Sequence, residues 1–192
     1  MFRQASRGFR ALVFLAAAAA LASLSPAYPR SRHHAKPAPE PEPPGATGRA
    51  SQLGIYGDWG AYLAKGENSK ICYALATPKD RTPSGLNRDP AYIFISNRPE
   101  DNVRQEIALI MGFRLKEEGA HAEVSGSKFA LVAKGANAWI KNTSEEAHFL
   151  EELKKGAKLT VKAASTKGHV TTDSYSLAGL SQALERIDKE CP

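Results

Sequence analysis

A chain of 192 residues suffices for one ordinary domain, and its formal charge of +6 would suit a nucleic-acid or membrane-surface partner if the basic residues were spread along it. They are not: seven of the 26 basic residues but only two of the 20 acidic ones precede residue 51, leaving nineteen and eighteen for the remainder. A domain that close to neutral has no electrostatic footprint for nucleic acid, and two cysteines cannot supply a thiolate metal cluster.

The N-terminus has the layout of a secretory signal. Arg3, Arg7 and Arg10 form a basic region without acidic residues. The apolar run ALVFLAAAAALASL and the small-x-small pattern Ser25-Pro26-Ala27 follow. The run is shorter than the roughly 20 residues that a membrane-spanning helix needs. Residues 1–27 are therefore expected to leave the chain, with no integral membrane segment remaining, and export to the periplasm is expected. The absence of an Arg-Arg pair favours the general export route. Residues 28–50 repeat proline and lack large aliphatic side chains. Such a segment cannot bury enough apolar surface to offset its ordering entropy, so a disordered, extended spacer is expected. The His33–His34 pair within it makes a poor metal site.

The domain then spans 51–192. SQLGIYGDWGAYLA reads as a strand with a tight bend, and KICYALA as an alternating strand with Cys72, Ala74 and Ala76 on one face. TPKDRTPSGLNRDP reads as a loop. AYIFISN is apolar on both faces, which suggests a central strand. In VRQEIALIMGF, Val103, Ile107, Leu109, Met111 and Phe113 share one parity. HAEV and KFALVAK form a hairpin around Ser125-Gly126-Ser127, and AWIK follows a turn at 135–137. Thr143 and Glu146 make a capping box for a helix with Ala147, Leu150 and Leu153 on its apolar side, stopped by Gly156. KLTVKAA and HVTTDSYS make a second hairpin. A final helix covers about 177–190.

The apolar residues of that helix, Leu177, Leu180, Leu184 and Ile187, are spaced 3, 4 and 3 apart, and a further step of 4 reaches Cys191. The small residues beside Cys72 let a helix end approach its strand. In an oxidising compartment this predicts a Cys72–Cys191 disulfide tying the C-terminal helix to the sheet. A nucleophilic Cys72 would need a histidine base, and His121, His148 and His169 are scattered over strand, helix and turn.

Phosphate loops, nucleophile elbows, zinc-protease motifs and dinucleotide fingerprints are absent. No catalytic residues, metal ligands or cofactor are therefore assigned. Paired acids such as Glu117–Glu118, Glu145–Glu146 and Glu151–Glu152 read as solvated faces. Trp59 and Trp139 read as core. One distribution stands out. Arg81, Arg88, Arg98, Arg104 and Arg114 lie within one stretch that contains no lysine. They either pair locally with Asp80, Asp89, Glu100, Asp101 and Glu106, or form a face for an anionic ligand such as a lipid phosphate or acidic glycan.

The blocks YGDWGAYLA, KICYALATPKDR, GLNRDPAYIFISNRPEDNVRQEI, AWIKN and TTDSYSLAGLSQALERIDKEC, in that order, resemble the invasion-associated locus B family of exported proteins of Gram-negative bacteria. The resemblance covers about 51–191. It implies an immunoglobulin-like β-sandwich, here with two added helices, in the periplasm or on the envelope. It implies a non-enzymatic role in host-cell interaction or envelope integrity, through an envelope or host-surface partner. It supplies no catalytic residues.

Overall fold

The computed structural model describes residues 50–66 and 69–192; the expected signal (1–27), the spacer up to residue 49 and its His33–His34 pair lie outside the described residues. The strands are β1 (Ala50–Tyr56), β2 (Trp59–Lys65), β3 (Lys70–Ala76), β4 (Asp80–Thr82), β5 (Tyr92–Arg98), β6 (Val103–Ile110), β7 (His121–Val124), β8 (Ser127–Lys134), β9 (Asn137–Ile140), β10 (Lys158–Ala164) and β11 (Val170–Ser176). The helices are α1 (Glu146–Lys155) and α2 (Leu180–Glu190). The protein is mainly β with two helices, as the sequence predicts.

All strand pairings are antiparallel, in the order β1-β2-β3-β5-β6-β9-β8-β7-β10-β11-β4. Strand β8 joins the two halves of this sheet. Its first residues, Ser127–Ala130, pair with β7, and its last, Leu131–Lys134, pair with β9. The halves fold over a shared core. Trp59, Ile93 and Leu109 from one half pack in the same cluster as Val124, Val161 and Tyr175 from the other. The result is sandwich-like, with its layers connected through one strand.

Two elements differ from the sequence reading. The bend expected within 51–64 is a full turn between β1 and β2, and β4 lies inside the segment read as loop. β4 has no apolar alternation to announce it; it pairs with the edge of β11 through Thr82, Arg81 and Asp80. The β1–β2 turn rests on the approach to α2. Asp58 N–H donates to the Ala178 carbonyl at 3.0 Å. Gly179, at φ 95°, lies so close to the Tyr56 carbonyl that a side chain would collide with it.

The helices bury the faces that their periodicity predicts, with two corrections. In α1 the buried residues are Phe149, Leu150 and Leu153, while Ala147 is exposed. Its start is capped by Asn142, whose Oδ1 accepts from Ser144 N–H, and a single 3-10 turn, Thr143–Glu145, intervenes. In α2 the stripe is as expected: Leu177, Leu180, Leu184, Ile187 and Cys191 are all buried.

Cys191 is disulfide-bonded to Cys72, with Cα atoms 5.9 Å apart. The surroundings fix the end of α2 in place. The buried Asn97 donates to Asp188 at 2.8 Å and accepts from Gln105 N–H at 2.9 Å. Gln105, at φ 50°, is the extra residue of a β-bulge between β5 and β6. That bulge breaks the simple alternation expected from Val103 to Phe113. Arg104 donates to the Cys191 carbonyl at 2.6 Å, and the Lys70 ammonium to the Glu190 carbonyl.

The disulfide closes a loop of 119 residues. In the chain-entropy model a loop of this size contributes about 4–5 kcal/mol. Urea unfolding of the Cys72→Ala, Cys191→Ala variant is expected to show a loss of about that size, with the slope of the transition changed because the unfolded chain expands.

Candidate functional site

The five arginines do not form one face. Arg98 bonds to Glu106 at 2.7 Å and Asp101 at 3.1 Å. The Glu106 carboxylate holds its guanidinium above the usual range. These groups line a small hollow of about 380 Å³ with Lys70, Glu100 and the half-buried Trp139; Arg98 is matched there by Glu106 and Asp101, and Lys70 by Glu190. Arg104 belongs to the end of α2, as described above. Trp59 is fully buried, with its indole N–H donating to the Ser176 carbonyl.

Arg81 and Arg88 converge on Asp173. This aspartate is fully buried on β11, between Thr171 and Tyr175 on the inward face. Arg81 Nε lies 3.0 Å from one carboxylate oxygen and Arg88 Nη1 3.3 Å from the other. The remaining guanidinium nitrogens reach backbone. Arg81 donates to the carbonyls of Asp89 (2.8 Å) and Met111 (2.7 Å); Arg88 donates to those of Arg81 (3.1 Å) and Pro83 (3.0 Å). Burial raises the Asp173 carboxyl above its usual range, and the two guanidinium groups offset only part of that effect. The neighbouring Tyr175 phenol is also pushed up by burial, and its hydroxyl has no hydrogen-bond partner.

Arg88 of this ion cluster also lines a cleft of about 490 Å³. One wall is the loop Leu86–Asp89, the second is Gly112–Arg114, and the third is the β10–β11 turn from Ser165 to Thr171. The first two walls touch through backbone. Asp89 N–H donates to the Gly112 carbonyl at 2.9 Å, and Gly112, at φ 70°, leaves no room for a side chain against the Asp89 carbonyl. Arg114 ties the second wall to the third, since its carbonyl accepts from Thr166 N–H at 3.0 Å.

The Arg114 guanidinium, the Lys167 ammonium and the His169 ring are all exposed at this cleft. Among the described residues none of the three has an ion pair or a side-chain hydrogen bond. Ser165 Oγ accepts from His169 N–H at 3.1 Å, which leaves its own hydroxyl hydrogen available as a donor. The arrangement can therefore hold an anion through a forked guanidinium, an ammonium and a hydroxyl.

The three domain histidines sit on separate elements. His121 is on β7, His169 is in the β10–β11 turn, and the His148 ring packs 5.5 Å from that of Phe129. No group of three or more His, Cys, Asp or Glu side chains able to hold a metal occurs among the described residues.

The sequence reading singled out Arg88 and Arg114, considered His169 only as a base for a nucleophile, and did not single out Lys167 or Asp173. A signal for Asp173 exists: it shares strand parity with Thr171 and Tyr175 in TTDSY, so a carboxylate points inward and needs buried cations. Lys167 and His169 belong to a turn and carry no such mark.

No family model, no curated protein and no solved structure matches the chain.

Asp173→Asn is expected to destabilise the domain by about 3–5 kcal/mol, because it leaves two guanidinium groups without their buried counter-charge. Tyr175→Phe removes a buried hydroxyl that makes no hydrogen bond and should be neutral or stabilising by about 1 kcal/mol. Thermal unfolding of both variants checks this pair.

Proposed function

We propose that this chain is an exported, non-enzymatic binding protein of the cell envelope, of the kind that the resemblance to invasion-associated locus B proteins implies. We propose further that it grips an anionic group of its partner in the cleft between Arg114 and Lys167. The observation that carries this reading is the pair of unmatched cations on a rigid frame. Three cations, Arg88, Arg114 and Lys167, line the cleft against one carboxylate, Asp89, and Arg88 is paired with Asp173 behind it. Arg81 and Arg88 are consumed by Asp173 and by backbone carbonyls, so their role is to hold the walls. Arg114 and Lys167 are left to meet a ligand.

The cleft is partly open to solvent, which suits a phosphate or carboxylate carried on a larger molecule. The candidates are a lipid headgroup or an acidic glycan of the envelope or of a host surface. Attraction between exposed charges is screened over about 10 Å at 0.1 M salt, so binding of this kind weakens as salt rises. Among the described residues no helix is long and apolar enough to cross a membrane.

The test is co-sedimentation of the oxidised protein with zwitterionic vesicles, with vesicles carrying anionic phospholipid, and with an insoluble acidic polysaccharide. Retention on one of the anionic supports is expected. The Arg114→Ala, Lys167→Ala double variant should bind about 10–100-fold more weakly, with an unchanged melting temperature. Equal binding by the variant, or retention on neither anionic support, would overturn the proposal.

A further inference from the structure

The hollow beside Arg98 contains an aromatic ring that the core does not claim. Trp139 lies on β9 between Ala138 and Ile140, which both enter the core, so its indole stands on the opposite side of the sheet. It is only half-buried and belongs to neither buried cluster, in contrast to Trp59. Its partner across the strand pair, Val132, is exposed as well. Among the described residues the Trp139 indole N–H makes no hydrogen bond. The ring thus brings an apolar surface and an unused donor to a hollow of about 380 Å³.

The rest of the lining is polar and held by mutual contact. Arg98 Nε is bonded to Asp101 at 3.1 Å, and Nη1 to Glu106 at 2.7 Å and to Ser96 Oγ at 3.3 Å. With three contacts and a side chain only 18% exposed, the guanidinium plane is fixed. Its Nη2 has no partner among the described residues, and neither do the second oxygens of the Asp101 and Glu106 carboxylates. Glu100, in the 3-10 turn Pro99–Asp101, is exposed and makes no ion pair there. Unused donors and acceptors therefore alternate on one braced unit beside an indole. We infer that this hollow binds an uncharged pyranose unit of a glycan, stacked on Trp139. The inference is independent of the Arg114–Lys167 cleft.

The chemistry of the lining selects that class. A pyranose carries weakly positive C–H bonds on its faces and hydroxyls around its edge. Its face suits the negative face of an indole. Each hydroxyl both donates and accepts, so a lining of one kind of group would serve it poorly and a mixed one serves it well. Neighbouring hydroxyls on the ring can be taken together by the fork of a carboxylate or a guanidinium. The volume lies toward the lower end of the range of about 300–1,000 Å³ common for small-molecule sites, which suits a mono- or disaccharide unit. Charge sets a limit on the sugar. Arg98 is shared by Asp101 and Glu106, Lys70 is matched by Glu190, and Glu100 adds a carboxylate without a counter-charge. An acidic sugar would meet an excess of carboxylates here, the reverse of the Arg114–Lys167 cleft.

The test is acrylamide quenching of tryptophan fluorescence in the oxidised protein, with an N-acetylglucosamine trimer, maltotriose, a galacturonate trimer and choline as probes. The chain has two tryptophans and Trp59 is fully buried, so the quenching reports on Trp139. Protection by the N-acetylglucosamine trimer or by maltotriose is expected at millimolar concentration. The first would identify an amino-sugar glycan of the cell-wall type, the second a plain hexose glycan. Saturation-transfer NMR of the sugar protons reads binding in variants. Trp139→Ala should weaken it about 10-fold. Glu100→Ala, at an exposed turn position, should weaken it about 3–10-fold with an unchanged melting temperature. Protection by neither neutral oligomer would overturn the proposal. So would protection by galacturonate or choline alone, or equal binding by wild type and both variants.

Discussion

One buried carboxylate fixes the geometry on which the cleft depends. Asp173 could not remain in the interior without cations, and the two that reach it, Arg81 and Arg88, come from a segment with little structure of its own. Each brings its backbone with it. Arg81 draws in the carbonyls of Asp89 and Met111, and Arg88 those of Arg81 and Pro83. A strand of three residues and an irregular loop are thereby held to the edge of β11 and the end of β6. The walls of the cleft are in this sense a by-product of satisfying one charge. The arginines divide accordingly. Those that touch Asp173 are structural, and Arg114, which does not, is free to act outward.

The two sides of the sheet follow different rules. The inner side is filled by small residues where α2 lies, Ala74, Ala183 and the two half-cystines among them, and by large ones where the halves of the sheet meet. The outer side of β2, β3 and β5 has no helix in its cluster and is built of rings lying flat on the sheet. A strand that reads as apolar at every position is commonly explained by burial between two layers. Here the helices supply residues to the inner cluster alone.

Much of the fold was legible because its signals are local. Hairpins announced themselves through Ser125-Gly126 and through the turn before His169; α2 through the regular spacing of Leu180, Leu184 and Ile187; the disulfide through the extension of that spacing to Cys191. The misses have a common cause, which is that the decisive partner lies far away in sequence. β4 is a strand only because β11 offers it an edge. The bulge at Gln105 exists because Asn97 accepts its N–H, and Asn97 is in turn held by α2. Arg81 and Arg88 have acids within a few residues, Asp80 and Asp89, yet choose Asp173, 92 and 85 positions away. Only Arg98 pairs as its neighbourhood suggests. Charges along a chain reveal which groups need partners, while the choice of partner is made by the topology.

The long span of the disulfide has a consequence in time. A chain is made amino end first, so Cys72 becomes available while its partner is still 119 residues away. Until α2 has been made, Cys72 is a lone thiol on β3, between the strands that carry Leu63 and Asn97 opposite it. The bond can close only once every described strand and both helices have been delivered. Pairing of Cys72 with Cys191 therefore acts as a record of completion: a chain arrested anywhere between β3 and the end of α2 lacks the bond, and a finished one carries it.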